Sequence, residues 1–599
     1  MVMNEVQQAY LSRIERLEEQ RSLALRRGKR LMWLRLLSFC AAIAALFALF
    51  SISVVAATAA SLLFLALFAV VAIRDVRNQR HISYLDNLIT INRDELAAIE
   101  GNFAVFDSGQ EFFDVKHPYS YDFDIFGQQS IFQMVCRATT VSGKRALASR
   151  LQHPLPLNTI DDNLEAVAVL ADEVEWRQDF YEAGKRYSAS SSNIKSVLEW
   201  ISIPEKMFES RWLRAILYIM PPITIALAVL WALDILPGVF LLAYGIHLMV
   251  YGKFGNGIGI IQSKVSRADS EMRSYSSLLL HIEKASFDGP TLNALKKELE
   301  LEGERSSEVM KELSRLVNKL DYRLYWPFMI TLGVLLFWDF RVALKMEKWK
   351  RKYAPLAQNW VDAVGEMEAL TSLATLCYNN PDWTFPKICD GYFTVDAEDA
   401  AHPLIPKKQR VANNFRVEEH EKVLLLTGSN MAGKSTFLRT LGVNMVLAYA
   451  GSVVCAEKFW VSYVPLRSSM RITDSLVENT SSFYAEIKRL GEIVQAVKEG
   501  ERPFLLLDEI LRGTNSNDRH IGSRALIDLL VEYGVCGIIA THDLTLAQAK
   551  ETYPEALTNY HFDVQVDDND ELFFDYKVKT GICTSLNASI LMRKIGLKV

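Results

Sequence analysis

The sequence has no surplus of either charge. Its 66 basic and 71 acidic residues leave a formal net charge of −5, so no global signal points to nucleic acid and charge has to be read locally. Cysteines are few, seven in 599 residues, and no two form a C-x-x-C pair. That excludes a disulfide framework and a zinc ribbon, and it fits a reducing compartment. No fixed-period repeat and no low-complexity tract is present. The length exceeds that of one domain, so several are expected, with ample material for their cores.

Charge is absent altogether from Leu36 to Ile73, a run of 38 residues. One helix of that length would extend about 57 Å at ~1.5 Å per residue, nearly twice a ~30 Å hydrocarbon core. The run therefore predicts two membrane-spanning helices in a hairpin, turning near Ser51 to Thr58. It is too long and begins too late for a signal peptide. Arg26, Arg27, Lys29, Arg30 and Arg35 precede it and Arg74, Arg77 and Arg80 follow, which places both ends in the cytoplasm. A second apolar region, Ala215 to Tyr251, is split by Asp234 and Pro237-Gly238 and flanked by Arg211, Arg214 and Lys253. It predicts a second hairpin, hence four spans, although Pro221-Pro222 interrupts its first half. A third run, Leu324 to Trp338, has only 15 residues and predicts a buried core helix. The expected location is a cytoplasmic membrane, multi-pass.

The chemistry lies further on. Thr427-Gly428-Ser429-Asn430-Met431-Ala432-Gly433-Lys434-Ser435-Thr436 fits the P-loop pattern G-x-x-x-x-G-K-[ST]. Gly428 and Gly433 let the backbone curl its N–H groups toward a β-phosphate, Lys434 reaches the β- and γ-phosphates, and the Ser435 hydroxyl takes Mg²⁺. Val423 to Leu426 before it reads as a buried parallel strand, and the residues from Phe437 as a helix. A second apolar run, Phe504 to Leu507, ends in Asp508-Glu509; the first acid is placed to hold Mg²⁺, the second to polarise the attacking water. A third, Gly537 to Ala540, ends in Thr541-His542-Asp543, where His542 is placed to sense the γ-phosphate or orient water. Ser481 at a helix start is placed either as an ordinary N-cap or as a donor to a γ-phosphate offered by another subunit. ATP and Mg²⁺ are the expected ligands, and ATP implies an intracellular catalytic domain.

The chain divides into a basic N-terminal helix (1–35), a transmembrane hairpin (36–73), the first part of a helical core (74–214), the second hairpin (215–251), a helical lever or clamp (252–385) and a P-loop ATPase domain (386–599). The lever region is broken at Asp288-Gly289-Pro290, and Leu292 to Leu320 reads as an extended lever or coiled coil. The fold class is thus multidomain: α-helical membrane hairpins and a helical core, then a C-terminal α/β P-loop NTPase domain.

About 70 residues separate Lys434 from Asp508, little room for the helical subdomain of transporter ATPases, and no L-S-G-G-Q-like segment is present. The region resembles instead the MutS family of DNA mismatch-repair ATPases, ABC-like in fold. The P-loop is similar to that family's T-G-P-N-M-G-G-K-S-T, and Leu507 to Ser516 to its L-D-E-I-G-R-G-T-S-T. Ser481 to Glu486 resembles its S-T-F-x-x-E, and Ala540-Thr541-His542 its A-T-H. Upstream, His402-Pro403 and Val411-Ala412-Asn413 are similar to the segment before the family's P-loop, and Ser142 to Leu147 to the start of its helical core. The resemblance implies Asn413 near the adenine, Ser481 acting across a homodimer interface, and DNA, mismatched or branched, as a partner. The family's mismatch-reading N-terminal domain, with its Phe-x-Glu wedge, is not found. The apolar hairpin stands in its place, as in a membrane-spanning MutS-like group of bacteria.

Two other classes compete: a transporter-like ATPase, and a membrane scaffold that dimerises on ATP without touching DNA. Two basic clusters, Lys407, Lys408 and Arg410, and Lys345, Lys348, Lys350, Arg351 and Lys352, are candidate DNA contacts but read as solvated surface.

Overall fold

The structure is a computed structural model that describes residues 5–187, 194–203, 206–266, 268–417, 422–429, 431–471, 482–566 and 572–582. Helix α1 (Glu5–Phe50) and helix α2 (Val54–Ile99) form one antiparallel hairpin, turning at Ser51 to Ser53. On α1 the buried positions Tyr10, Ile14, Leu17, Ala24, Gly28, Leu31, Ser38 and Ala42 recur at heptad spacing, matched on α2 by Val71, Asp75, Asn78, Ile82, Leu85, Ile89 and Asn92. That 3.5-residue repeat is the seam of a coiled coil. Residues 1–35 are therefore not a separate helix; their described part continues into the apolar run without a break. Away from the seam the run is uncovered: Phe47 is 77% exposed and Val55 78%.

The base of the hairpin is built into the helical core. Tyr10 donates to Asn379 (2.8 Å), Asn379 donates to Glu95 (2.8 Å), and Glu95 forms a buried pair with Arg137 (2.6 Å). The core is organised around Trp338–Asn379, a helix of 42 residues against which Val141–Gln152, Leu157–Asp172 and Ser306–Asp321 pack. The expected extended lever is not what forms. Gly289 and Pro290 break the chain, and β1 (Glu300–Leu301) and β2 (Glu304–Arg305) make a tight antiparallel ribbon about Gly303 (φ +76°). Ser306–Asp321 thus folds back onto Asp269–Lys284, and its apolar stripe is buried in the core rather than in a long coiled coil.

The second apolar region forms Arg211–Ala232 and Phe240–Val265, joined through Asp234 and Gly238. By length and apolarity three helices suffice to cross a membrane, namely α1, α2 and Arg211–Ala232; a fourth follows if Trp326–Leu336 and Trp338–Asn379, bent by 71°, count as one span. The return helix Phe240–Val265, which carries Lys253 and Lys264, is not among them. Leu324 to Trp338 is not the buried core helix its length predicts. It is a short helix with a π-turn at Met329–Gly333, lying beside the second hairpin with Trp326 71% exposed.

Beyond Asn379 the chain builds two sheets. β3 (Lys387–Cys389), β4 (Val395–Ala400), β5 (Asn413–Val417) and β7 (Lys458–Ser462) form one, in the order β3-β7-β4-β5. β6 (Val423–Thr427), β8 (Leu466–Ser469), β9 (Phe504–Asp508), β10 (Gly537–Thr541), β11 (Leu557–Val566) and β12 (Leu572–Thr580) form the other, ordered β12-β11-β6-β10-β9-β8. All its pairings are parallel except β11 with β12. Leu424, Leu426, Leu506 and Ile538 face the large core shared with the helices, while Val423, Leu425, Leu505, Leu507 and Ile539 face a second core with Ile527 and Leu530. Burial on both faces is why these strands read as unbroken apolar runs rather than alternating ones.

Candidate functional site

The site lies at the carboxyl ends of β6, β9 and β10, adjacent parallel strands, where loops of an open α/β sheet gather ligands. β6 leads through the P-loop into the helix Lys434–Tyr449. Gly428 has φ +144°, and a Cβ there would meet the Phe562 carbonyl oxygen at 3.0 Å; Gly433 has φ +102°, with the Tyr576 ring 3.1 Å from its Cβ position. Both positions need glycine for backbone angle and for space. The Lys434 ammonium donates to the carbonyl oxygens of Gly428 and Ser429, each at 2.8 Å. The lysine is thus curled over the loop, its charge held against the loop carbonyls.

The Ser435 hydroxyl donates to Asp508 Oδ2 at 2.5 Å. The other oxygen, Asp508 Oδ1, is buried and has no hydrogen-bond partner. Burial raises the Asp508 pKa, so its charged form is under-solvated. One hydroxyl beside one carboxylate with an unsatisfied buried oxygen fits Mg²⁺, which takes few protein ligands and completes its octahedron with phosphate and water. No group of three or more His, Cys, Asp or Glu side chains suits a metal among the described residues.

Glu509 follows at the strand tip, with φ +47° and its N–H donating to Ala540 (2.9 Å). Its carboxylate lies 2.5 Å from His542 Nε2 and 3.0 Å from Arg512 Nε. The hydrogen bond with His542 holds the Glu509 carboxyl below its usual range, against the opposing effect of burial. Asp508, Glu509 and His542, drawn from two strand ends, thus converge beside the P-loop helix. The loop after Glu509 is anchored by Glu486, whose carboxylate accepts the Leu511 N–H, and by Phe483 lying against Gly513. Burial raises the Glu486 pKa.

Asn430 and Ser481 lie outside the described residues. Of the remaining loop positions, Met431 is exposed, Ala432 buried, and Thr436 exposed in the first helical turn. Asn413 is engaged elsewhere: its amide donates to the Tyr576 carbonyl (3.0 Å) and accepts from the Val578 N–H (2.8 Å), stitching β5 to β12. Two residues escaped the sequence reading. Arg512 sits three positions after Glu509, a spacing that alone signals little, yet it reaches both acids. Tyr576 comes from a strand distant in sequence, so only the sheet order brings its half-exposed ring to the P-loop.

The two basic clusters are neutralised in part, with Lys408, Lys345 and Lys348 exposed and in none of the ion pairs among the described residues. Lys407 and Arg410 share Asp382 (3.0 and 3.1 Å); Lys350 is buried against Glu347 (3.0 Å), and Lys352 pairs with Glu304 (3.0 Å).

Residues 424–592 match the family model MutS domain V. The chain is 31% identical over 239 residues to the DNA mismatch repair protein MutS of Persephonella marina, covering 39% of this chain and 27% of that protein. It is 30% identical to MutS protein homolog 4 of Homo sapiens, over 39% of this chain and 25% of the relative. To the Endonuclease MutS2 of Thermus thermophilus it is 36% identical, over 33% and 26%. The chain thus matches about a quarter of the length of these relatives.

Proposed function

We propose that the protein is a membrane-held ATPase of the MutS type that hydrolyses ATP as a homodimer and acts on DNA, mismatched or branched, in repair or recombination. The observation that carries the hydrolytic part is the meeting of Ser435 with Asp508 and of Glu509 with His542 around one P-loop. ATP lies along Gly428 to Thr436, its phosphates drawing Lys434 off the loop carbonyls. Ser435 and Asp508 would hold Mg²⁺, which when bound would neutralise charge on the phosphates. Glu509, kept ionised by His542, accepts a proton from the attacking water; Ser481 of a second protomer caps the γ-phosphate. Tyr576 offers a ring face for the base, and Asn413 supports that strand. The DNA part rests on what the relatives' names say of those proteins. The membrane part rests on the exposed apolar hairpin.

Glu509→Ala is expected to lower turnover by about 10²–10⁴-fold while nucleotide binding persists; hydrolysis near wild type would overturn the assignment. With the full-length protein, DNA should stimulate hydrolysis, and the effect should weaken as salt rises. The pairing of Lys407, Arg410, Lys350 and Lys352 with acids favours a second reading, an ATP-driven membrane scaffold without DNA. Equal rates with no DNA, homoduplex, mismatched and branched DNA would select it.

A further inference from the structure

The arginines of the hairpin fall into two groups. Near its base each finds an acid: Arg13 meets Glu175 (2.6 Å), Arg93 meets Glu18 (2.6 Å), and Arg21 pairs with Asp86. Nearer the apolar run the pattern changes. Arg26, Arg27, Lys29 and Arg30 on α1 and Arg74, Arg77 and Arg80 on α2 are all exposed, and none has a carboxylate partner among the described residues. No acid occurs in the sequence between Glu19 and Asp75, and Asp75 is taken by Arg35 (2.9 Å).

The helix register brings these cations together. The Arg21–Asp86 and Arg35–Asp75 pairs set the two helices so that Arg27 stands level with Arg80, and Arg30 with Arg77. The result is a cationic collar around the hairpin, about 10 Å deep at ~1.5 Å per residue. Like charges at matching heights repel, and no carboxylate among the described residues offsets them. Trp33, 58% exposed, stands level with Arg74 at the edge of the collar nearest the charge-free run, as an aromatic does near a membrane boundary.

We propose that this collar is a binding surface for anionic phospholipid headgroups, which fixes the depth and seat of the hairpin in the bilayer. The proposal rests on the reading of the hairpin as membrane-inserted and adds the lipid class it selects. Charge complementarity and direct continuity with the apolar run favour lipid over nucleic acid: a headgroup layer meets all sides of the hairpin at one level. Each exposed cation at such a surface is worth roughly a fivefold gain in affinity for anionic over neutral lipid.

The test uses the full-length protein reconstituted in phosphatidylcholine vesicles with and without phosphatidylglycerol. Flotation reports insertion; spin-labelled lipids report which headgroup is enriched around the protein. Wild type should float with both compositions and enrich phosphatidylglycerol severalfold, less so at high salt. Changing the seven collar cations to glutamine should abolish the enrichment while flotation and ATP hydrolysis persist. Changing the six arginines to lysine, which keeps the charge, should preserve it and controls for folding. Absence of enrichment in wild type, or its survival in the glutamine protein, overturns the collar proposal while leaving insertion intact. Failure to float with either vesicle overturns insertion and the collar with it. If the glutamine changes abolish duplex DNA binding and wild type shows no lipid selectivity, the collar belongs to nucleic acid and the proposal falls.

Discussion

At the residue scale the site turns on one pair. Glu509 is held below the ordinary carboxylate range by its bond with His542. A carboxylate so depressed is charged at neutral pH; the stability it lends is present above its unfolded pKa and is lost as pH falls through the lower, folded value. His542→Asn removes that hold. The acid limb of the kcat/KM profile should then move to higher pH, with turnover at neutral pH down tenfold or more. A pH–rate profile with an unmoved acid limb would show that Glu509 is not the group that titrates. Ser481→Ala should impair hydrolysis if the site is shared between protomers, and unchanged steady-state activity would speak against a composite site. That Glu509 and His542 meet beside the P-loop was legible because the motifs end adjacent parallel strands at fixed spacing; Ser481 lies outside the described residues. Tyr576 was not legible, because strand order, which no local pattern encodes, decides its position.

At the scale of elements, the crossing between Val141–Gln152 and the core helix Trp338–Asn379 shows how tightly the molecule is built. Glu368, fully buried, accepts from the Thr139 N–H (2.8 Å) and hydroxyl (2.7 Å), the Thr140 N–H (3.2 Å) and the Thr140 hydroxyl. Gly143 leaves room for this carboxylate and Gly365 for the Ser142 backbone; a Cβ at either would come within 3 Å of a neighbour. Glu368→Ala strands several buried donors and should cost on the order of 3 kcal/mol, read as a lowered denaturation midpoint. A midpoint unchanged from wild type would show that the crossing relaxes without loss. Helices here were legible as helices, since apolar spacing and the break at Gly289-Pro290 are local. Their packing was not: a two-residue ribbon at Gly303 reverses the chain and turns an expected lever into a folded-back pair. The same limit misplaced Leu324 to Trp338, because exposure depends on what else arrives to cover a run.

At the scale of the whole molecule, a P-loop α/β domain and an apolar hairpin meet in one helical core. Leu63 lies in the uncovered face of α2, 70% exposed. An arginine there costs little in water but about 3 kcal/mol inside a bilayer. Leu63→Arg should therefore weaken membrane retention of the full chain on alkaline extraction while leaving ATP hydrolysis in detergent unchanged; full retention would count against insertion at that depth. The hairpin was legible at this scale because 38 residues without charge admit few other readings. The second region was only partly so: its two halves do form helices, yet one alone is apolar enough to cross.

The helix Trp338–Asn379 has a further consequence. Its last residue is hydrogen-bonded into the hairpin base and leads within a few positions to β3, while at its first turn Asp339 is bonded by Arg323 and by Tyr251 of the second hairpin. At ~1.5 Å per residue it is about 63 Å long, so a tilt of about 5° at the nucleotide end sweeps the far end through about 5 Å. The helix is thus a strut shared by both apolar hairpins, and a change in its tilt at the end next to β3 is felt at the other end multiplied by its length.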